Sequence, residues 1–385
     1  MTVWSDGTAR AVPLHAPHAR YVRPMRLLLP VLSLACAPSD GEVRRARPVD
    51  PPADTSADAG TDTDTSAEAD TSADTDTSAD TDTDTVPDDT APDDTEPPPA
   101  ALRIAVISDL NGSYGSTDYS DAVSAAVDAV LADPPDLVLS TGDMVAGQRS
   151  GLDYEAMWAS FHATVSDRLA AAGIPFAVTP GNHDASAYAG YSAERDAFAD
   201  AWIDRRPDVR FVDDADYPFR YAFIVSDVLF VSLDDTLVGA LDDEQTAWLD
   251  AVLDTPAAAR IVYGHVPLFP FAEGRETEAL FDDALEELLV AHDVTAFISG
   301  HHHAYYPGRR GSLRLVGTAC LGDSPRALLG SSTTSARSVL RLEVEEGEIT
   351  TLEAWSGERF DTVIARSTLP ASVGSGGDAV GRDDL

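Results

Sequence analysis

From about Leu102 onward the apolar positions come in short uninterrupted runs, separated by stretches with helical period. Arg103 to Ser108 reads as a buried strand. Asp136 to Ser140, Pro175 to Thr179, Arg260 to Tyr263 and Val294 to Ile298 read as further strands. Between them, Tyr119 to Ala132, Tyr154 to Ala172, Ser192 to Ile203, Asp243 to Leu253 and Glu276 to His292 carry the helical pattern. Phe219 to Val225 followed by Val228 to Leu233 has the pattern of a hairpin. The last part turns to strands at Ser312 to Val316, Ser338 to Glu345 and Ile349 to Trp355. The end, Ser372 to Leu385, is Gly-rich and polar and is expected to fray. The alternation of strand and helix predicts an α/β domain over residues 102–371, with a flexible tail at 372–385.

The pattern before Leu102 is of another kind. From Asp50 to Pro99 there are 17 acidic residues and no basic one, and the only large aliphatic residue is Val86. Such a stretch cannot bury enough apolar surface to offset its ordering entropy. Residues 37–101 are therefore expected to form a disordered acidic Asp/Thr/Pro-rich linker. As a coil, fifty residues reach roughly 40 Å. A calcium-binding repeat is the rival reading, but the tract lacks the Gly turns and regular ligand spacing of such loops. Ahead of it, Met25 to Cys36 has a positive start, a short apolar run and a small residue before Cys36. The run is too short to span a bilayer. It resembles a bacterial lipoprotein signal, in which the cysteine is lipidated. That resemblance implies export to the cell envelope and a lipid anchor at Cys36, on the periplasmic side or the cell surface. Met1 to Pro24 is then a mis-assigned upstream segment, and residues 1–36 form one unit with the signal. Ordinary signal cleavage near Ala35 is the alternative.

Charge narrows the partners. The whole chain carries −40, and after Leu102 there are still 46 acidic residues against 19 basic ones, a balance of −27. Polymeric nucleic acid is bound by neutralising its phosphates with basic side chains, so a DNA or RNA substrate is not expected. A small phosphate ester remains open if a metal cluster makes the local field positive. The two cysteines, Cys36 and Cys320, fall in the signal and the domain, so no disulfide framework is available. Cys320 reads as a small buried hydrophobe.

Chemistry concentrates just beyond five of the strands: Asp109-Leu110-Asn111, Gly142-Asp143, Gly181-Asn182-His183-Asp184, Gly264-His265 and Gly300-His301-His302-His303. Strand ends of an α/β sheet form the crevice where ligands bind, so groups far apart in sequence converge there. Carboxylate, amide oxygen and imidazole are metal donors. Five such clusters in this order resemble the calcineurin-like metallophosphoesterases, over roughly Arg103 to Gly317. The resemblance implies a four-layer αββα sandwich of two mixed β-sheets flanked by helices. It also implies two divalent metal ions (Mn, Fe, Zn or similar) and hydrolysis of a phosphate mono- or diester by a metal-bridging hydroxide. Carried over residue by residue, Asp143 bridges the ions. Asp109 and His303 join it at the first, and Asn182, His265 and His301 hold the second. His183 contacts the phosphate and assists the leaving group.

Asn111 stands where the family most often has a His completing the first site, and its amide oxygen is the weaker donor. Ala146 stands where the purple acid phosphatases have Tyr, so a tyrosinate-bound ferric ion is not implied. Asp184 is expected to orient His183, as carboxylates commonly do for imidazoles. His162 and His292 read as structural, His302 as pointing away from its neighbours, and Asp234-Asp235 as a solvated turn. The Tyr305 to Arg310 segment reads as a loop that either lines the pocket or lies on the surface. A nucleotide or cyclic-nucleotide phosphodiesterase, and a surface binding module without turnover, are the other functions the pattern allows.

Overall fold

Strands that are apolar at every position need cover on both faces, and two packed sheets with helices outside them provide it. The computed structural model describes residues 101–385, so the signal and the acidic linker lie outside the described residues. β1 (Leu102–Ile107) pairs in parallel with β2 (Leu137–Ser140), and β2 with β3 (Phe176–Val178). The second sheet is built on β4 (Arg210–Asp216), β5 (Arg220–Val225), β6 (Val228–Ser232), β7 (Ala259–Tyr263), β8 (Ala296–Ser299), β9 (Tyr306–Arg310) and β10 (Leu313–Gly317). The chain then returns to the first sheet with β11 (Val339–Glu345), β12 (Glu348–Ser356) and β13 (Thr362–Val363). It ends on the second with β14 (Ser372–Val373) and β15 (Val380–Arg382). The spatial orders are β13-β12-β11-β1-β2-β3 and β14-β15-β9-β10-β8-β7-β6-β5-β4, both mixing parallel and antiparallel neighbours.

The alternation along the central strands sorts side chains into two cores. Phe230, Ile261, Tyr263 and Ile298 turn toward the first sheet and share a core with Leu139 and Val178. That core continues to Val127 of α1 (Asp121–Ala132), Phe161 of α2 (Tyr154–Phe161), Leu169 of α3 (Asp167–Ala171) and Phe198 of α4 (Ser192–Trp202). Leu229, Val231, Val262 and Phe297 face the other way. They pack on Leu249 and Leu253 of α5 (Asp243–Leu253) and on Leu285 and Leu289 of α6 (Asp283–Ala291). The fold is thus two mixed sheets between helices, as the resemblance implies. The buried Tyr221 hydroxyl ties the sheets together: it donates to the Val178 carbonyl at 2.6 Å and accepts from the Val178 amide at 2.8 Å.

Four expectations change. The helix read from Glu276 begins only at Asp283, where the Asp282 carboxylate accepts from Leu285 N at 3.0 Å and caps the first turn. The residues before it form a loop instead. The Tyr305 to Arg310 loop is largely strand β9, paired antiparallel with β10; Pro307 and Gly308 hide it from pattern reading. β4, rich in Arg and Asp, is an edge strand that has no apolar alternation to find. The tail does not fray: β15 pairs with β9, β14 pairs with β15, and Val373 and Val380 are buried. One buried valine in each of two short strands leaves too little pattern for a sequence reading.

Candidate metal centre

Five loops that follow strands in both sheets meet at one point. The first is laid against the second by backbone bonds, Asp109 N to Gly142 O at 3.0 Å and Leu110 N to Asp143 O at 2.9 Å. Gly181 is needed for the third: a Cβ there would lie 2.1 Å from Asp143 N, so only glycine lets these loops touch. Asp109, Asp143, His301 and His303 all adopt left-handed backbone, with φ of 49°, 54°, 62° and 53°. Such residues cost about 1–3 kcal/mol each and persist only where the surroundings over-determine them.

The donors form two groups that share Asp143. In the first, one ligand atom each from Asp109, Asp143 and His303 lies within 4.8 Å of the others, all three residues being buried. Ser108 Oγ donates to Asp109 Oδ2 at 2.5 Å, and His301 N donates to the same carboxylate at 3.1 Å. His303 Nδ1 donates to the Ser324 carbonyl at 3.1 Å, and Nε2 faces Asp109 Oδ1 at 3.2 Å. Cys320, free and buried, lies against this imidazole.

The second group follows the same logic. His265 Nδ1 donates to the Thr141 carbonyl at 2.8 Å, leaving Nε2 to face Asn182 Oδ1 at 2.9 Å, His301 Nδ1 at 3.2 Å and Asp143 Oδ2 at 3.5 Å. His301 Nε2 donates to the Glu278 carboxylate at 3.2 Å, which leaves its Nδ1 as a lone pair. Two imidazole nitrogens, an amide oxygen and a carboxylate oxygen therefore converge on one point. A proton on His265 Nε2 or a cation among the four satisfies them, and the donor set fits a divalent metal. Without a metal, the centre takes up protons instead. Burial lowers the proton affinity of His265 and His303, yet the Asp143 and Asp109 carboxylates turn both shifts upward, to about 10 for His265. Burial also works to raise Asp143, but the charges of His265 and His183 hold it well below the usual carboxylate range.

His183 is placed differently. Its backbone amide donates to Asp143 Oδ1 at 2.8 Å. Its half-buried ring meets no candidate ligand side chain: Nδ1 lies 3.4 Å from Gly147 O, and the ring sits 5.4 Å from that of Tyr114. Asn111 lies at the same strand end, with its amide nitrogen donating to Val145 O at 3.3 Å and its amide oxygen left as the possible donor. Asp184 does not orient His183. Its two oxygens accept from Val145 N at 2.8 Å and Gly181 N at 3.0 Å, so it pins the loops, and burial followed by the Asp143 charge pushes it up to about 8. Asp235 is not solvated either. It is buried, its Oδ1 accepts from His265 N at 2.6 Å, and burial pushes it up to about 7, while Asp234 pairs with Arg195. His302 is fully buried and neutral, accepting from Phe271 N at 3.3 Å and donating to Glu278 O at 2.8 Å. His162 is held in the core beside Ser166, and His292 pairs with Asp250. Glu278, Ser108 and Asp235 were not singled out as supports: a lone Glu or Asp in an irregular loop has no local signature.

Paired mixed sheets with acid, imidazole and amide donors gathered at their strand ends define the metallophosphoesterase class of fold. The calcineurin-like phosphoesterase family model matches residues 102–305, more than half of the chain, and the chain belongs to that family. No curated protein matches the sequence significantly. Among solved structures, a purple acid phosphatase from yellow lupin (Lupinus luteus) seeds aligns with a TM-score of 0.52 at 17% identity, over 69% of this chain and 53% of that one. This chain therefore spans about half the length of the lupin enzyme, and the likeness is one of fold. A dimetal phosphatase from Danio rerio gives a TM-score of 0.44 at 16% identity, over 64% of this chain and 94% of that one. GAP50, the anchor in the inner membrane complex of Plasmodium, gives 0.49 at 16% identity, over 69% and 87%.

Proposed function

We propose that this protein is a metal-dependent phosphoesterase that hydrolyses a small phosphate mono- or diester with two divalent ions. The observation that carries the reading is the convergence of four donor atoms, from His265, His301, Asn182 and Asp143, beside a carboxylate–imidazole triad that shares Asp143. Asp109, Asp143 and His303, with Asn111 beside them, would hold one ion; Asp143, Asn182, His265 and His301 would hold the other. Bound ions supply Lewis acidity toward the phosphoryl oxygens and lower the pKa of water. The chain supplies the rest. Asp143 fixes the His183 backbone. The His183 ring, outside both donor groups and partly exposed, is free to give a proton to the departing ester oxygen. The acidic surface repels polymeric nucleic acid and leaves the ion pair as the local positive field.

Export and a lipid anchor at Cys36 complete the proposal. They rest on the Met25 to Cys36 pattern and the linker composition alone. Elemental analysis of the purified protein, with turnover of p-nitrophenyl phosphate and of its bis ester, tests the reading. Two divalent ions per chain and hydrolysis of at least one ester are expected. A folded protein that holds only trace metal ends the proposal, and metal without turnover leaves a binding module.

A further inference from the structure

The domain is strongly acidic, and most of its arginines are satisfied by carboxylates or carbonyls: Arg195 by Asp234, Arg310 by Glu286, Arg366 by Asp383, Arg260 by two backbone oxygens. Arg326 is different. Among the described residues its side chain makes no hydrogen bond or ion pair. Its Nε is buried without a partner, and the residue is only partly exposed. Its place is unusual too. Its backbone amide donates to His303 O at 3.1 Å, and its Nη1 lies over Gly274, 3.3 Å from where a Cβ would stand. Arg326 thus meets the turn that carries His301 and His303 with its backbone, and the loop that carries Glu278 with its guanidinium.

A second guanidinium stands beside it. The Arg326 guanidinium lies over Gly274, the residue before Arg275, and after burial the charge of Arg275 lowers the proton affinity of Arg326. Arg275 has a buried, unpartnered Nε of its own. Its carboxylate partner is Glu278 Oε2, and that same oxygen accepts from His301. One carboxylate oxygen therefore serves an imidazole and an arginine, and neither oxygen of Glu278 bonds to Arg326, although its charge reaches it. Glu276 does not fill the gap, because it is exposed and bonds back to Gly274 N at 3.0 Å. Two neighbouring guanidiniums, Arg326 without a bonded carboxylate and Arg275 sharing Glu278 with His301, form a receptor for an oxyanion beside the metal-binding histidines.

We infer that Arg326, with Arg275, forms a second anion subsite beside the metal centre, and that the substrate is a phosphate ester bearing a further anionic group, a phosphate or a carboxylate. This inference rests on the phosphoesterase reading above. A planar guanidinium fork binds either oxyanion, so the test separates the two.

The metal-loaded full chain is assayed with two matched pairs: 3-phosphoglycerate against glycerol 3-phosphate, and fructose 1,6-bisphosphate against fructose 6-phosphate. Melting-temperature shifts with the same compounds give a readout independent of turnover. A charge-assisted contact predicts a kcat/KM preference of about tenfold or more for the doubly anionic member of one pair. The pair that shows it identifies carboxylate or phosphate. Arg326→Gln should erase that preference and the extra melting shift, whereas Arg326→Lys, which keeps the charge and loses the fork, should retain part of both. No preference in either pair, or a preference unchanged in Arg326→Gln, overturns the subsite. Turnover of the singly anionic esters would still stand in that case, so the phosphoesterase reading is judged separately. If Arg326→Gln fails to fold, equal preference in the wild type and Arg326→Lys for both pairs overturns the subsite in its place.

Discussion

At the scale of single residues, the proposed reading separates groups that hold an ion from groups that face a substrate. His183 belongs to the second kind, because its ring lies outside both donor groups while its backbone is tied to Asp143. His183→Ala should therefore keep its metal and its fold, and lose about two to four orders of magnitude in turnover. The loss should be larger for an alkyl phosphate, whose alkoxide needs a proton, than for p-nitrophenyl phosphate. Near-normal turnover of both by a metal-replete variant would remove His183 from the chemistry. The donors themselves were legible in the sequence because each sits next to a strand with an unmistakable apolar run, Ile104 to Ile107 before Asp109 being the plainest. Their braces were not. Ser108, Asp235 and Glu278 act through contacts with residues 1 to 30 positions away, and spacing carries no trace of such contacts.

At the scale of elements, the loop between β7 and α6 works as a clamp on the His301–His303 turn. Its Glu278 carboxylate takes the His301 proton, its Glu278 carbonyl takes that of His302, and its Phe271 amide donates to the other nitrogen of His302. The His301 bond leads the forces that hold the Glu278 carboxyl down at about 2. Losing a carboxylate that orients a metal-binding imidazole typically costs about 10–100-fold in metal affinity. Glu278→Ala should show that loss in chelator competition for one ion and spare the other, and Glu278→Gln, whose amide oxygen still accepts, should recover part of it. Equal affinity in Glu278→Ala and the wild type would reduce the contact to packing. The helix read as continuous from Tyr154 to Ala172 instead passes through a π turn at His162–Ser166, which periodicity could not reveal. Burial there pushes the His162 imidazole down to about 4 from 6.5. The unfolded chain then takes up a proton that the folded one refuses, so stability is full above 6.5 and falls as the pH drops toward 4. The melting temperature should decline over that window, and His162→Leu should flatten the decline. An unchanged slope would show that carboxylates alone set it.

At the scale of the whole molecule, alternation predicted an α/β core and the resemblance carried by five motifs implied its two sheets, whereas its margins were not legible. β4, β9 and β15 carry charge, Pro or Gly where a pattern would need apolar residues, β14 is only Ser372–Val373, and pairing with neighbours defines all four. The tract from Asp50 to Pro99 has Val86 as its only large aliphatic residue and so offers little apolar surface with which to dock. A chain beginning at Pro99 should therefore match the full chain in specific activity and melting temperature; a large drop in either would mean that the acidic tract docks on the domain. The braces around the donors have a longer reach. Asp109 is held by Ser108, His265 by Thr141, His301 by Glu278 and His303 by Ser324, every one of them a protein group. Unlike a zinc finger, whose ligands collapse without their ion, this cage is finished by folding itself. Loading the proposed ions would thus be a step apart from folding, and the affinity order of divalent metals would govern which ion enters. In the proposed enzyme, the metal supplied after folding would set the fraction of chains able to turn over.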